Sequence, residues 1–457
     1  MKKYDALIIG FGKGGKTLAA TLGKRGFKVA VIEQSAQMYG GTCINIGCIP
    51  TKKLIYTAAA AKSQATATYD AKNAFYQQAI AAKNELTALL RQKNYENVAA
   101  YADIYTGTAR FISDHTVEVQ LPDAKIVLAG EKIFINTGSE TVLPPIAGLR
   151  QSARVYTSTT LMELTTLPRR LVIVGGGYIG LEFAAMYAAY GSAVTVLEYG
   201  AALIPREDND VAAAIQARLE TLGIRFIFNA QATEIADENE QTTVTYRDRS
   251  SDSSVTVPAD AVLIAAGRQA NTANLQLEAA GIAVNQRGEI IVNELLQTSV
   301  PQIWALGDVK GGLQFTYISL DDFRIVREQL FGSGNRTTAN RPPVPYAVFL
   351  DPTFARVGLS EAEALQAGHK IKTAKLAEAA SPRARLAGST SGFLKAIVDA
   401  DSNKILGAAC FCSEASEIIN IVQLAMQADL DYTVLRDNIY THPSMSECLN
   451  DLFATLA

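Results

Sequence analysis

The sequence has few of the features that mark nucleic-acid-binding, membrane-spanning or disulfide-stapled proteins. Its 457 residues include only five cysteines and three histidines, and the formal net charge is −3. There is no polybasic block, so the chain offers no electrostatic footprint for nucleic acid or for an anionic membrane. No window holds the roughly 18 uncharged apolar residues of a membrane span. Five cysteines in a chain of this length do not form a disulfide scaffold.

The N-terminal stretch MKKYDALIIGFGKGG does not have the form of a secretion signal. Two lysines precede an apolar run, but the run ALIIG is five residues long, and Lys13 and Lys16 follow it. We therefore expect a cytoplasmic protein. The chain is too long for one hydrophobic core, so about two to four domains are expected. With 48% hydrophobic and 19% charged residues, it has the composition of an ordered globular protein.

Residues 5–33 have the pattern of a dinucleotide-binding unit. An apolar strand over 6–9 runs into Gly10-x-Gly12-x-x-Gly15, a helical segment follows, and a second strand over 29–32 ends at Glu33. Gly10 permits a tight turn, Gly12 lets the backbone approach a pyrophosphate, and Gly15 lets the helix pack on the strand. The helix N-terminus offers free N–H groups to the phosphates. Glu33 is placed to bind a ribose hydroxyl.

Residues 171–198 repeat this pattern. Gly175-x-Gly177-x-x-Gly180 follows an apolar strand over 171–174, and Glu198 closes the next strand. From first glycine to acid, both copies span 23 positions. A single glycine motif is weak evidence, but two copies in matching contexts predict two bound dinucleotides. The Glu198 carboxylate would repel a 2′-phosphate, which favours NADH over NADPH, although Arg206 lies farther along the chain.

The stretch GGTCINIGCIPTK, residues 40–52, places Cys43 and Cys48 five positions apart. In a regular α-helix such residues have Cα atoms roughly 8–9 Å apart, whereas a disulfide needs less than about 7 Å. If the two bond, the segment is therefore not a regular helix, and Gly47 can supply the distortion. A thiol near a helix N-terminus with Lys52 close by has a lowered pKa.

Two inert buried cysteines or a metal-binding pair are the alternatives to a redox pair. Zinc sites favour CxxC spacing and further ligands, and this run contains no histidine. With a dinucleotide loop upstream and a lysine nearby, the redox interpretation is favoured.

The pattern GGTCxNxGCxPxK after a glycine-rich strand end resembles the pyridine nucleotide–disulfide oxidoreductases. Lipoamide dehydrogenase, glutathione reductase and mercuric reductase are members. The resemblance extends over nearly the whole chain through INTGSE (135–140), AAGRQAN (265–271), WALGDV (304–309) and THPSMSE (441–447). It implies an α/β fold with two Rossmann-like dinucleotide-binding domains and an α+β dimerisation domain.

The resemblance also implies cofactors and residue roles. FAD would bind the first glycine-rich loop and NAD(P)H the second, with electrons passing from nicotinamide through flavin to the cysteines. Cys48 would face the flavin and Cys43 the substrate, while Lys52 would pair with Glu182 near the flavin. The implied FAD-binding residues are Gly10, Gly12, Gly14, Gly15, Glu33, Gly41, Thr42, Lys52, Thr137, Gly138 and Asp308. The implied nicotinamide-cofactor residues are Gly175, Gly177, Tyr178, Ile179, Gly180, Glu198, Gly267 and Arg268.

His442, in YTHPSMSE, precedes Glu447 by five residues. Taken alone, a histidine before proline is more often structural than catalytic. The resemblance reverses that expectation, because in similar enzymes this pair shuttles protons to and from the substrate-facing thiol. In the family the pair reaches the partner subunit's active site, which implies a homodimer. His115 and His369 are expected in a surface turn and at a loop end.

The same resemblance gives the domain boundaries. An FAD-binding domain is expected over residues 1–146 and 266–342, an NAD(P)-binding domain over 147–265, and a dimerisation domain over 343–457. A long helical stretch at 72–93 is expected to support the FAD domain. Residues 332–345, GSGNRTTANRPPVP, have the composition of a linker.

Differences within the family favour one branch. The chain ends in DLFATLA, without the C-terminal cysteine pair of mercuric reductases and large thioredoxin reductases, and GGLQFTYISLDDF replaces the segment typical of lipoamide dehydrogenases. These segments resemble the reactive-chlorine-resistance flavoproteins, which are associated with oxidative stress and with copper(II) reduction by NADH. Cys43 and Cys48 would then contact the metal, since thiolates favour copper(I). The alternatives are a dihydrolipoamide dehydrogenase or other disulfide reductase, and a flavin-bound thiol redox sensor.

Cys410 and Cys412, in GAACFCS, would share one face of a strand. Copper binding there is possible in principle, but two small buried core residues are the favoured interpretation. Cys448, directly after Glu447, receives no role.

Overall fold

The computed structural model of the chain describes residues 1–61, 68–238 and 241–456. The predicted domain boundaries also take in residues 62–67, 239–240 and 457, which lie outside the described residues. No helix in the described part of the chain is both long and apolar enough to cross a membrane.

The described residues form strands that are distributed along the whole chain. Their bounds are β1 Lys2–Ile9, β2 Val29–Glu33, β3 Asp103–Thr106, β4 Thr108–Phe111, β5 Thr116–Gln120, β6 Lys125–Ile135, β7 Ser139–Thr141, β8 Val155–Tyr156, β9 Arg170–Val174, β10 Ala193–Leu197, β11 Arg225–Ile227, β12 Ala230–Glu238, β13 Gln241–Asp248, β14 Ser254–Ala259, β15 Ala261–Ile264, β16 Arg268–Ala270, β17 Ile303–Ala305, β18 Tyr346–Val348, β19 Phe354–Gly358, β20 Ile371–Ala377, β21 Phe393–Asp399 and β22 Ile405–Phe411.

The α-helices cover the faces of the sheets. Their bounds are α1 Lys13–Lys24, α2 Thr42–Asn45, α3 Cys48–Ala61, α4 Tyr69–Ala99, α5 Ser158–Leu161, α6 Tyr178–Tyr190, α7 Asn209–Thr221, α8 Thr316–Phe331, α9 Glu361–Gln366, α10 Pro382–Ala387, α11 Ala415–Gln427, α12 Tyr432–Arg436 and α13 Cys448–Ala454. The helix expected at 72–93 thus runs from Tyr69 to Ala99, and it packs against α3 and α6.

The first sheet has the strand order β3-β2-β1-β6-β5-β4, with β17 also pairing with β6. Its central strands are parallel and buried on both faces, so they consist of continuous apolar runs. The strand predicted over 6–9 begins earlier, at Lys2, because its exposed first residues continue the pairing with β6. The sheet places Gly10 at the carboxyl end of β1, where parallel sheets bind their ligands.

The second sheet, β11-β10-β9-β15-β8, is wholly parallel and lies within residues 155–264. A three-stranded antiparallel sheet, β12-β13-β14, packs beside it. Two short strands join the units: β7 pairs with β16, so the chain leaves the first unit and returns to it at adjacent positions. The repeated glycine motifs therefore lie in two separate parallel sheets of one chain.

The C-terminal part contains the antiparallel sheet β18-β19-β22-β21-β20, with α11 packed against β19 and β22. Its core is built from alternating small and branched residues of these strands and from α11 and α13. Residues 332–345, expected to be a linker, contain no helix or strand. The five sheets in the described part of the chain and the helices around them together give the mixed α/β architecture that the sequence predicts.

Buried charges join the second unit to the C-terminal sheet. The Lys395 ammonium, on β21 and only 2% exposed, lies 2.9 Å from Asp208, 3.0 Å from Asp210 and 3.3 Å from Glu361. Lys375 makes a more exposed ion pair of 2.6 Å with the same Asp210. The attraction between this buried cation and the surrounding carboxylates offsets the free-energy cost of removing these charges from water.

We expect Lys395→Met to lower the apparent thermal midpoint by several degrees, because it leaves three carboxylates without their central cation, a loss of about 3–5 kcal/mol. Thermal unfolding followed by circular dichroism measures this. The matched control is Lys375→Met, whose side chain is 46% exposed and whose pair contributes about 1 kcal/mol or less. Equal decreases of the thermal midpoint in the two variants would contradict the conclusion that Lys395 stabilises the contact between the second unit and the C-terminal sheet.

Candidate functional site

The first glycine-rich loop is a tight backbone cradle at the end of β1. Gly10 has a φ of +100°, and a Cβ there would lie 2.3 Å from the Asn136 carbonyl oxygen. Gly41 approaches the same loop so closely that its Cβ would lie 2.7 Å from the Gly12 Cα. With no side chains here, the N-terminus of α1 is open to a ligand, and this fits the diphosphate of a dinucleotide.

Asn136, which the sequence reasoning did not single out, holds this cradle together. Its side-chain oxygen accepts from the Gly15 N–H at 2.9 Å, and its amide donates to the Leu306 carbonyl at 2.6 Å. Asn136 therefore links the first loop to Leu306, which lies 170 residues after Asn136 in the sequence. The sequence shows the asparagine in INTGSE, but it does not show which groups form hydrogen bonds with that side chain.

The second loop has the same construction. Gly175 has a φ of +111°, and a Cβ there would lie 2.5 Å from the Ala265 carbonyl oxygen. A Cβ on Gly180 would lie 2.1 Å from the Gly175 carbonyl oxygen, so helix and strand pack closely, as the motif predicts. Gly177 has open space around it and precedes the first residue of α6, which is Tyr178.

The two acidic residues make equivalent hydrogen bonds. Glu33 accepts from the N–H groups of Phe11 at 3.0 Å and Ser35 at 3.3 Å. Glu198 accepts from Gly176 and Gly200, both at 2.7 Å. Each carboxylate thus joins its own strand end to the glycine-rich loop, and the repeated 23-residue interval positions it to do so.

Burial raises the pKa of Glu33 to about 7, against the lowering effect of the backbone N–H donors of Phe11, Ser35 and Gln34. A carboxyl group in such surroundings gains from further hydrogen-bond donors. Ribose hydroxyls are donors of this kind, so the residues present fit a bound adenosine moiety.

A cavity of about 1420 Å³ begins at this loop and extends to the cysteines. It is large enough for a dinucleotide, because ordinary ligand pockets occupy about 300–1,000 Å³. Most of the predicted site residues line it: Gly10, Gly12, Glu33, Gly41, Thr42, Cys43, Cys48, Lys52, Thr137, Gly138, Tyr178, Ile179, Glu182, Arg268 and Asp308.

The cysteine pair lies where one helix ends and another begins. Cys43 belongs to the one-turn helix α2 and Cys48 is the first residue of α3, with Ile46 and Gly47 between the helices. The segment is thus not a regular helix, as a bonding pair would require. Both cysteines are free thiols in this structure. The Thr316 hydroxyl lies 3.5 Å from the Cys48 sulfur.

The two thiols titrate as an unequal pair. A hydrogen bond from Cys43 lowers the pKa of Cys48 to about 6, and Thr316 and the Lys52 ammonium act in the same direction against burial. The same hydrogen bond, together with burial, raises the pKa of Cys43. Cys43 therefore holds its proton more tightly than Cys48 does, and Cys48 is the more readily ionised thiol.

Lys52 and Glu182 come together across 130 residues of sequence. The Lys52 ammonium contacts both oxygens of Glu182 at 2.7 Å. Glu182 is 7% exposed and also accepts from the Phe349 N–H at 2.9 Å. The lysine lies over the Phe349 ring, 4.7 Å from its centroid. The cation is therefore fixed in the cavity beside Cys48.

Asp308 and Arg268 meet through Ser139. The Asp308 carboxylate accepts from the Ser139 hydroxyl at 2.8 Å, and the Arg268 guanidinium donates to that hydroxyl at 2.9 Å. Burial lowers the pKa of Arg268, and the Asp308 charge opposes that shift. Gly267, immediately before Arg268, has a φ of +120° and accepts from the Val142 N–H.

Arg268 also lines a second, smaller cavity of about 600 Å³ together with Arg206 and Arg287. Arg206 was the residue in the sequence that weakened the prediction of NADH over NADPH. It lies beside this second cavity.

His442 and Glu447 form a pair away from this cavity. His442 Nδ1 lies 2.8 Å from the Glu447 carboxylate, and the His442 side chain is 68% exposed. Neither residue is among the described residues that line the large cavity. Within one chain, the acid–base pair and the cysteines are therefore not brought together. His115 and His369 lie in loops, and His369 pairs with Asp399 at 2.9 Å.

The remaining cysteines are buried in the C-terminal core. Cys410 and Cys412 are 0% exposed and Cys448 is 1% exposed. The described part of the chain contains no group of three or more His, Cys, Asp or Glu residues arranged to hold a metal ion. The favoured interpretation of Cys410 and Cys412 as small core residues agrees with this burial.

Two family models together match most of the chain, and known proteins match nearly all of it. Residues 4–322 match the pyridine nucleotide-disulphide oxidoreductase family, and residues 344–453 match the dimerisation domain of those enzymes. The chain is 50% identical to the probable pyridine nucleotide-disulfide oxidoreductase RclA of Escherichia coli, covering 99% of both chains. It is 33% identical to a mercuric reductase of Staphylococcus aureus over 98% of this chain and 81% of that protein.

A solved structure agrees with the sequence match. The copper(II) complex of the HOCl-induced flavoprotein disulfide reductase RclA from Escherichia coli superposes with a TM-score of 0.93, at 50% identity and over 100% of both chains. The resemblance to the reactive-chlorine branch is thereby confirmed. Enzymes of the family contain FAD and use NAD(P)H. The chain belongs to the pyridine nucleotide–disulfide oxidoreductase family.

Proposed function

We propose that this protein oxidises NADH and passes the electrons through FAD and the Cys43–Cys48 pair to copper(II), as part of resistance to reactive chlorine species. One observation carries the proposal. The Cys48 thiol, with its lowered pKa, lies beside the Lys52–Glu182 ion pair in a cavity continuous with the first glycine-rich loop. The copper(II) complex of the HOCl-induced RclA supports the choice of acceptor.

The proposed assignments follow the two loops. Residues 1–146 and 266–342 would bind FAD, with the Gly10 loop on the diphosphate, Glu33 on the ribose and Asp308 on the flavin side chain. Residues 147–265 would bind NADH through the Gly175 loop and Glu198. Residues 343–457 would form the dimerisation domain.

FAD, when bound, would supply the two-electron chemistry that connects NADH to the cysteine pair. The chain's own residues prepare that pair. Lys52 keeps a positive charge beside Cys48, which stabilises the thiolate, and Glu182 holds that charge in place. Thr316 supplies a further hydrogen bond to Cys48. The proton of the reduced pair stays on Cys43, so Cys43 can release it as the acceptor is reduced.

The electron balance with copper is simple. A reduced cysteine pair loses two electrons and its protons when the sulfur–sulfur bond forms, and two copper(II) ions become two copper(I) ions. Thiolates are soft ligands that favour copper(I), so product formation is favourable beside Cys43 and Cys48. The overall reaction converts one NADH and two copper(II) into NAD⁺, two copper(I) and one proton.

A homodimer would complete the site. The exposed His442, oriented by Glu447, would face the Cys43 thiol of the partner chain and carry its proton. The match of residues 344–453 to a dimerisation domain supports this arrangement, as does the separation of the pair from the cavity within one chain. A general base needs a second group that fixes its tautomer, and Glu447 on Nδ1 leaves Nε2 for the proton transfer.

We expect the alkylation rate of the reduced enzyme by iodoacetamide to rise with pH through a midpoint near 6, because the thiolate is the nucleophile and the pKa of Cys48 is about 6. Lys52→Met should move the midpoint upward, since it removes a nearby positive charge. Mass spectrometry of the labelled peptide measures the rate at each pH. A midpoint near that of an ordinary thiol, unchanged in Lys52→Met, would refute the thiolate assignment.

We expect anaerobic NADH to reduce the purified protein and copper(II) to reoxidise it faster than lipoamide or oxidised glutathione does. Cys43→Ser and Cys48→Ser should each lower copper(II) reduction by about 100-fold or more, because the pair acts as a unit. Visible spectra of the bound flavin report each half-reaction. Fast reoxidation by lipoamide alone would instead indicate a disulfide reductase.

We expect kcat/KM to be at least about tenfold higher with NADH than with NADPH, because the Glu198 carboxylate repels a 2′-phosphate. Glu198→Gln should narrow that preference by raising activity with NADPH. Steady-state kinetics with both cofactors test this. If Glu198→Gln kept the wild-type ratio of kcat/KM for NADH to kcat/KM for NADPH, the cofactor preference would have to come from other residues.

A further inference from the structure

Three aromatic rings form a continuous stack at the cysteine end of the cavity. The Phe315 ring stacks on Tyr317, with centroids 5.1 Å apart and planes 11° from parallel. The Phe315 ring also stacks on Tyr346, with centroids 5.9 Å apart and planes 13° from parallel. We call Tyr317, Phe315 and Tyr346 the aromatic wall. All three side chains line the large cavity.

Hydrogen bonds hold both ends of the aromatic wall. The Tyr317 hydroxyl donates to the Pro345 carbonyl at 2.6 Å. At the other end, the Tyr346 hydroxyl donates to the Glu207 carboxylate, which also accepts from Tyr178. The Glu207 side chain is 1% exposed and paired with Arg356 at 3.3 Å. A desolvated, fully partnered carboxylate keeps its partners in one geometry, so the wall is a rigid surface.

The wall lies directly beside the reactive sulfurs. Thr316, between the two stacked residues Phe315 and Tyr317, contacts the Cys48 sulfur at 3.5 Å. Burial raises the pKa of Tyr317, and the negative charge of an ionised Cys48 would add to that shift. Pro343 and Pro345 line the cavity next to these rings. Proline and stacked aromatic rings have little freedom to move aside for a large substrate.

Metal ions and disulfides require different amounts of room. In thiol–disulfide exchange Cys43 first passes its proton to a base, its sulfur then attacks one sulfur of the substrate, a mixed disulfide forms and one thiolate leaves. Cys48 then displaces the second thiolate and closes the Cys43–Cys48 bond, so two electrons reach the substrate. The substrate must therefore bring two substituted sulfur atoms up to Cys43. A copper(II) ion needs space only for itself and its ligands.

We propose that the aromatic wall determines acceptor selectivity, because it leaves the cysteine pair open to ions and small molecules and closed to bulky disulfides. This inference rests on the proposed copper(II) reductase function and specifies how that site chooses its acceptor. Tyr317 is the most exposed member, at 42%, so it is the ring that an incoming acceptor meets first.

The test replaces the outer ring in the full-length, FAD-loaded enzyme. We expect Tyr317→Ala to raise the ratio of kcat/KM for oxidised glutathione to that for copper(II) by at least about tenfold. Tyr317→Phe keeps the ring and should keep the wild-type ratio. Tyr101→Ala removes a tyrosine that is also 42% exposed but does not line the cavity, and serves as the matched control. Phe315→Ala, which removes the middle ring, is the second variant and should raise the ratio too.

Thiol labelling gives a readout that does not depend on turnover. In the reduced enzyme, iodoacetamide should label the cysteine pair in the wild type and in Tyr317→Ala alike, whereas a bulky fluorescein maleimide should label the pair rapidly only in Tyr317→Ala. The inference is overturned if glutathione selectivity and maleimide labelling stay at wild-type values in both Tyr317→Ala and Phe315→Ala. It is also overturned if the wild type reduces oxidised glutathione as readily as copper(II).

Failure of the proposed function would look different. The wild type would then not reduce copper(II) with NADH at all, while the maleimide comparison would still report whether the rings restrict access to the cysteine pair.

Discussion

The carboxylate of Glu182 is the point on which the three parts of this chain converge. It belongs to α6, the helix that begins at the second glycine-rich loop, and it binds Lys52 on the helix that begins with Cys48. It also accepts from the Phe349 N–H, at the start of the C-terminal part. A carboxylate that is 7% exposed requires such partners. Removing any one of them would leave a desolvated charge beside the reactive thiols.

The duplicated glycine motif shows how one local solution serves two sites. In both copies the acid at the end of the second strand binds backbone N–H groups of the loop, Phe11 in one case and Gly176 in the other. The acid therefore shapes the loop, in addition to making the ribose contact that is proposed for it. This dual use gives a physical reason for the equal spacing: the carboxylate must reach the turn from the neighbouring strand in both units.

Local patterns in the sequence predicted most of the fold. They could not predict most of the contacts between residues that are far apart in the sequence. The strands around Gly10 and Gly175 and the helix expected at 72–93 follow from local patterns of apolar residues and glycine. The break at Gly47 was expected on condition that the two cysteines bond. The pairing of Lys52 with Glu182 came from the family resemblance, because 130 residues separate them. Asn136 and Glu207 were missed, since their partners lie 121–170 and 29–149 residues away and neither residue type is distinctive on its own.

The strand β17 has a consequence for the order in which the chain folds. It pairs with β6, yet the whole second unit, with its own two sheets, lies between the two strands in sequence. Contacts this distant are slow to form, and domains tend to fold as units during synthesis. The inserted unit can therefore fold on the ribosome while the first sheet still lacks a strand. The Asn136–Leu306 bond that closes the first cradle forms only after β17 has emerged, so the proposed FAD site is completed late in the life of a newly made chain.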